Sequence, residues 1–364
     1  MVITATELRK ELGAYLDLAV AGEEILVTRS GWPAARLVPV GPVEDLTAFF
    51  PTLLDADLGE QDSVDDAMMP GARNPMASME KMMIDSGKLL EEKEFATIDE
   101  ANAYLQDLLA SGGGIPSVAS STPLEEAQDL IYQAREEPRR ATRIKLAKKA
   151  LKISPDCADA YVLLAEEEAQ TLQQAVAYFE QGVAAGERAL AEEFDEYVGH
   201  FWGITETRPY MRARHGLAFC LWDLGEKTAC IEHLQEMLRL NPNDNQGVRY
   251  TLLMCLLDTG DAAGTNALFR AYEDDASAEW QYGLVLHLFR MHGPGKQSTK
   301  ALKEAIKWNS YVPAYLLGTK RLPKKLPEYM DMGGKSEAVG YVAQHRERWQ
   351  ATPGALDWLK TQVK

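Results

Sequence analysis

Between residues 214 and 242 the apolar positions fall on two helical stripes separated by a turn at Gly225. Leu217, Ala218, Leu221 and Leu224 recur at three- and four-residue steps, and Cys230, Leu234, Met237 and Leu238 do so after the turn. Small residues at Ala218 and Cys230 let the two backbones approach, and Pro242 stops the second helix. The same hairpin pattern recurs over residues 124–155, 158–186, 249–272 and 280–313. Such a hairpin cannot bury its apolar face alone, so five in succession predict a stacked array.

The order of small, aromatic and proline positions resembles the tetratricopeptide repeat, whose period is about 34 residues. The expected fold is therefore mainly α: a TPR-like α-solenoid of about five helical hairpins over residues 123–320, with a C-terminal cap over 321–364. Pro313, Pro323 and Pro327 forbid a long helix at the end of the array. A last helix carrying Trp349, Leu356, Trp358 and Leu359 is expected to close it. One stretch, 187–212, breaks the period with large side chains and charge.

Ahead of the array the pattern changes. Thr4 with Glu7 fits a capping box, Leu8, Leu12, Leu16 and Ala19 follow at helical spacing, and Gly22 suits a helix end. Two short strands around Ser30-Gly31-Trp32-Pro33 complete a small α+β module over residues 1–40. Forty residues are too few to be stable alone, so a dimer partner or docking is expected. Residues 41–75 read as an acidic linker, and 76–114 are helical again with a stripe of Met76, Met79, Met82 and Met83. That stripe reads as a loosely packed core face, with an adaptable binding groove as the alternative.

Composition narrows the function classes. A formal charge of −17 argues against wholesale binding of nucleic acid or anionic membrane, although a locally neutral patch could still bind DNA, and no membrane partner is expected. Cys157, Cys220, Cys230 and Cys255 fall inside helical patterns without a CxxC pair, which suits buried thiols in a reducing compartment. No apolar run reaches membrane-span length and the first residues are no signal peptide, so a cytoplasmic protein is expected. Glu196 and His200 are two candidate metal ligands, but nothing completes a zinc set. Cys220 and Cys230 stand on neighbouring helices where their thiols could meet. His200, Glu206, Arg208, Tyr210 and Arg212 could bind a carboxylate or phosphate; a buried ion-pair network shaping the inserted stretch weighs more. No catalytic, cofactor or metal site is expected.

Residues 3–9, 12–16, 22–25, 27–31 and 33–37 closely resemble the N-terminal module of the Phd/YefM antitoxins. That resemblance implies a homodimer through residues 1–40 and operator DNA contacts from Thr6, Arg9 and Lys10 at the start of a helix. It also implies a toxin-binding segment at Leu46, Phe49, Phe50, Leu53 and Leu54; docking of these side chains on the chain's own solenoid is an equal alternative. From about residue 80 onward, GHFWGITETRPYMRAR, LRLNPNDNQGVRY and the motifs ending in WQATPGALDWL resemble the suppression-of-tumorigenicity-seven family. That family implies a helical-repeat protein without established chemistry. The expected role is a non-enzymatic scaffold that binds a protein or peptide partner. Its partner surface is expected at Tyr161, His200, Trp202, Arg208, Arg212, Arg214, Arg249 and Trp280. The alternative is an antitoxin and transcriptional autoregulator.

Overall fold

A computed structural model describes residues 2–4, 25–29, 32–37 and, apart from 92, 94, 96, 111–114, 192 and 328, residues 75–363. The chain divides into two compact units, residues 1–64 with 89–116, and residues 65–88 with 117–364.

In the first unit, strands β1 (Val2–Thr4), β2 (Ile25–Arg29) and β3 (Trp32–Leu37) form one sheet in that order. β2 and β3 are antiparallel, while β1 pairs with β2 in parallel, a strand the sequence pattern did not signal. The helix expected after Thr4 lies outside the described residues, as do Thr6, Arg9, Lys10 and the apolar segment of Leu46, Phe49, Phe50, Leu53 and Leu54. Helix α2 (Ile98–Ala110) carries Tyr104, whose ring meets Phe95 and receives the Lys93 ammonium at 3.9 Å.

The second unit is helical. α1 (Pro75–Glu91) belongs to it through residue 88. Five hairpins follow: α3 (Pro123–Glu136) with α4 (Arg140–Ile153), and α5 (Ala158–Glu167) with α6 (Leu172–Leu190). After a short α7 (Glu193–Tyr197) come α8 (Arg208–Asp223) with α9 (Lys227–Leu240) and α10 (Val248–Thr259) with α11 (Ala262–Ala271). The fifth is α12 (Ala278–His292) with α13 (Lys296–Trp308). First helices also pack on one another across hairpins, α3 on α5, α5 on α8 and α10 on α12, so apolar faces are buried in sequence as the repeat pattern requires. Among the described residues no helix is long and apolar enough to cross a membrane.

Small residues set the spacing. A Cβ on Gly186 would stand 2.7 Å from Tyr210 Cβ, and one on Gly216 would stand 2.2 Å from the Phe179 ring. Gly186 lets the α6 backbone come close to that of α8, and Gly216 makes room for the Phe179 ring between the same two helices.

Two boundaries differ from the sequence reading. The third hairpin begins at Arg208, six residues before Arg214, because Pro209 occupies the first turn, where its missing N–H costs nothing. The closing helix is two, α15 (Lys335–Gln350) and α16 (Ala355–Gln362), after a five-residue α14 (Val312–Leu316). Pro353 and the left-handed Gly354 (φ 75°) break what looked like one stripe. Trp349 and Leu359 are nonetheless buried, and the Trp358 ring lies tilted at 4.8 Å from that of Phe289 of α12.

Candidate functional site

Helix α1 lies over the first helices of the leading hairpins and is held there by charge. Arg212 of α8 donates Nη1 and Nη2 to the two Glu80 oxygens, both at 3.0 Å. It also donates Nε and Nη2 to Asp159 of α5 at 2.8 and 2.6 Å. Arg208 reaches Glu80 at 3.3 Å, Tyr132 donates its hydroxyl to Glu80 at 2.8 Å, and Gln128 donates to Asp159 at 2.8 Å. Further along α1, Lys81 bridges Asp85 and Asp129, and Lys88 meets Glu125 at 2.8 Å.

Glu80 is 6% exposed and Asp159 fully buried. Burial alone would raise both carboxyl pKa values, but the Arg212 guanidinium overrides it and holds both below the ordinary range. Burial and the neighbouring Glu80 charge raise the Tyr132 phenol. The cluster is a closed ion-pair network rather than an open anion site, and its carboxylates come from α1 and α5. Glu206, in the stretch itself, is exposed and accepts from Thr205.

The period-breaking stretch fills space. Gly199 and Phe201 donate their N–H groups to Leu240 C=O at 2.8 and 3.2 Å. The Phe194, Phe201 and Tyr210 rings meet edge to face. Trp202 is half-buried at positive φ, with its ring 5.5 Å from the Arg208 guanidinium and 5.9 Å from that of Arg212. His200 is half-buried beside it. α7 stops at Tyr197, so Glu196 and His200 do not share a helix face. Among the described residues no group of three or more His, Cys, Asp or Glu is arranged to hold a metal.

Two more expected surface positions remain reachable. Tyr161 is half-buried on α5, and Arg214 is half-buried with its guanidinium over the Tyr210 ring and bonded to that hydroxyl. Arg249 lies at an open recess of about 550 Å³. Its guanidinium donates to Asp244 at 2.8 Å and Asp275 at 2.7 Å, and sits 4.3 Å from the Tyr250 ring centre and 5.4 Å from that of Tyr272. Burial raises the Asp244 pKa despite the Arg249 charge. Trp280 is a correction: it is 2% exposed, wedged edge-on against Phe269, Tyr272 and Tyr250. Its side chain packs core, not partner.

Two further readings change. Met79, Met82 and Met83 are 39–44% exposed, so the methionine stripe is not a core face. Cys230 shares a small apolar cavity with Cys255, not Cys220. The sequence reading missed Glu80, Tyr132 and Asp159. The faint signal for Asp159 was a lone carboxylate between alanines at the start of an apolar helix.

Residues 77–279 and 293–364 match the family described as ST7 protein. Residues 1–67 match the family described as Antitoxin Phd_YefM, type II toxin-antitoxin system. The Suppressor of tumorigenicity 7 protein-like of Gallus gallus is 29% identical, over 65% of this chain and 46% of the relative. That of Homo sapiens is 29% identical over 65% and 45%, and Protein ST7 homolog of Drosophila melanogaster 27% over 65% and 48%. The chain thus spans about half the length of these curated relatives. Among solved structures, YrrB, described as a TPR protein with an unusual peptide-binding site, is 20% identical with a TM-score of 0.37, covering 51% of this chain and 84% of that one.

Proposed function

This chain belongs to the ST7 protein family, and on that footing we propose that it is a non-enzymatic scaffold that binds a protein segment across its first helices. The observation carrying this is that the first-helix face already accepts a helix. α1 delivers Glu80 to Arg208 and Arg212 and turns Met79, Met82 and Met83 outward. Exposed methionines on a charge-anchored helix make an adaptable apolar surface for an amphipathic partner. Arg208 and Arg212 hold α1, with Trp202 and His200 at the edge. Tyr161, Arg214 and Arg249 are the first-helix positions left for the partner. A photo-crosslinking residue at Met82 is expected to give one discrete protein adduct in the source cell. The same residue at Lys149, exposed on the second helix α4, is expected to give none. Equal adducts at both sites, or none at Met82, would sink the reading.

A second reading rests on the antitoxin-family match over residues 1–67. In it the N-terminal module dimerises and binds operator DNA through Thr6, Arg9 and Lys10, and Leu46, Phe49, Phe50, Leu53 and Leu54 engage a toxin protein. Binding of the full chain to its own promoter should then weaken steeply with salt. Replacing Arg9 and Lys10 by Ala should lower the logarithmic salt slope by about 1 for each phosphate contact removed. A gel-shift series in which the double variant tracks the wild type would refute it.

A further inference from the structure

Against a formal charge of −17 for the whole chain, residues 296–335 hold nine basic and three acidic residues. The inversion is organised. Lys296, Lys300, Lys303 and Lys307 step by four, three and four along α13, so they share one narrow face, and all four are exposed. The opposite face of α13 buries Ser298, Leu302 and Ala305. Among the described residues, Lys307 alone of the four is held by an acidic neighbour, Glu304, at 2.8 Å. The charge continues past the helix end: Lys320 and Lys335 both stand over the Tyr311 ring, at 5.3 and 5.7 Å. Arg321, Lys324 and Lys325 follow, all exposed.

Large apolar side chains are set among these cations. Trp308 ends α13, Gly333 lies against its backbone carbonyl, and the Asn309 amide donates to Gly334 C=O at 2.9 Å. Trp308, Leu326, Tyr329, Met330 and Met332 are between 48% and 63% exposed. α13 is the second helix of its hairpin, so its lysine face lies on the side away from α12. Here the cations are lysines almost throughout, flexible point charges suited to a plane of phosphates rather than to forked recognition of one carboxylate. An aromatic and aliphatic fringe with snorkelling lysines is the make-up of a surface lying in a bilayer interface.

We propose that this face docks the chain on an anionic lipid bilayer. The lysine stripe meets lipid phosphates, and Trp308 with Leu326, Tyr329, Met330 and Met332 enters the headgroup layer. The acidic remainder of the chain is repelled by the same charge, which fixes which side faces the lipid. The full chain should sediment with vesicles of phosphatidylserine and phosphatidylcholine in equal parts and stay in solution with phosphatidylcholine alone. Reversal of the stripe (Lys296→Glu, Lys300→Glu, Lys303→Glu, Lys307→Glu), at exposed positions and with an unchanged circular dichroism spectrum, should weaken binding at least about tenfold. Trp308→Ser should weaken it with all charges kept. Failure of the wild type to bind, equal binding to both vesicles, or a stripe variant that binds undiminished would overturn the proposal. So would capture of soluble polyglutamate or duplex DNA that depends on the lysines but is indifferent to Trp308.

Discussion

Arg212→Leu is expected to lower the folding stability of the second unit by about 3–5 kcal/mol, because it strips the partner from two buried carboxylates at once. Glu80 and Asp159 sit within 3.0 Å of the guanidinium, and Asp159 is wholly out of water. After the change Asp159 keeps Gln128 and a distant Arg135, 3.9 Å away, while Glu80 keeps Tyr132 and the weaker Arg208 contact. Glu80→Gln should cost less, since Arg212 retains Asp159. A double-mutant cycle of these two changes then reads their coupling. Acid supplies an independent check. Both carboxyls have folded-state pKa values below the ordinary 4.5 and 3.8, so on acidification the unfolded chain takes up protons first. The network's stabilisation is complete above about pH 4.5 and fades as pH falls through the folded values. In Arg212→Leu the orphaned carboxyls are raised by burial instead, so the gap between variant and wild type should be widest near neutrality and narrow in acid. Urea unfolding followed by circular dichroism at several pH values measures both. A variant within about 1 kcal/mol of wild type at neutral pH would remove the network from the account of how α1 is held.

The repeats were legible because each hairpin writes its own burial into a local period, and five repetitions average out drift at single positions. The charged network was not legible for the opposite reason. Arg212 finds Asp159 at a separation of 53 residues and Glu80 at 132, and nothing in the local pattern around any of the three announces the others. Arg208 and Arg212 looked like part of an irregular insertion, because an Arg-Pro-Tyr run reads as a loop. Once Pro209 is recognised as a first-turn proline, both arginines fall one turn apart on a first helix and face the same side. The methionine stripe was misjudged from the same blindness to distance. Apolar spacing says that a face exists, but not that Glu80, Asp85 and Lys81 on the other side would be the ones to bind. The lysine stripe on α13 was visible at the right spacing all along. It was masked by a net charge averaged over a chain whose remainder is strongly acidic.

Trp280→Ala should cost a further large amount, about 3–5 kcal/mol, and this separates a core residue from a binding residue. Repeat geometry assigns early first-helix positions to the open face, and for Tyr161 and Arg249 that rule leaves partly accessible side chains. It fails at α12, which is packed by α10 and α11 on one flank and by α13 and α15 on the other. Buried positions therefore cover well over half of its circumference, and Trp280, at its third residue, falls among them. The indole meets Phe269 at 4.9 Å, Tyr272 at 6.0 Å and Tyr250 at 6.2 Å, all edge-on, a geometry that adds to the apolar area it buries. Truncation leaves a void among three rings that cannot all collapse into it, whereas Trp280→Phe should retain more than half of the stability. Tyr250 and Tyr272 are also the rings under the Arg249 guanidinium, so the same void should loosen the recess beside them. The expected readout is a melting temperature lowered by about 2–4 °C per kcal/mol for a unit of this size. A Trp280→Ala protein that melts like the wild type but loses its partner would return this residue to the binding surface.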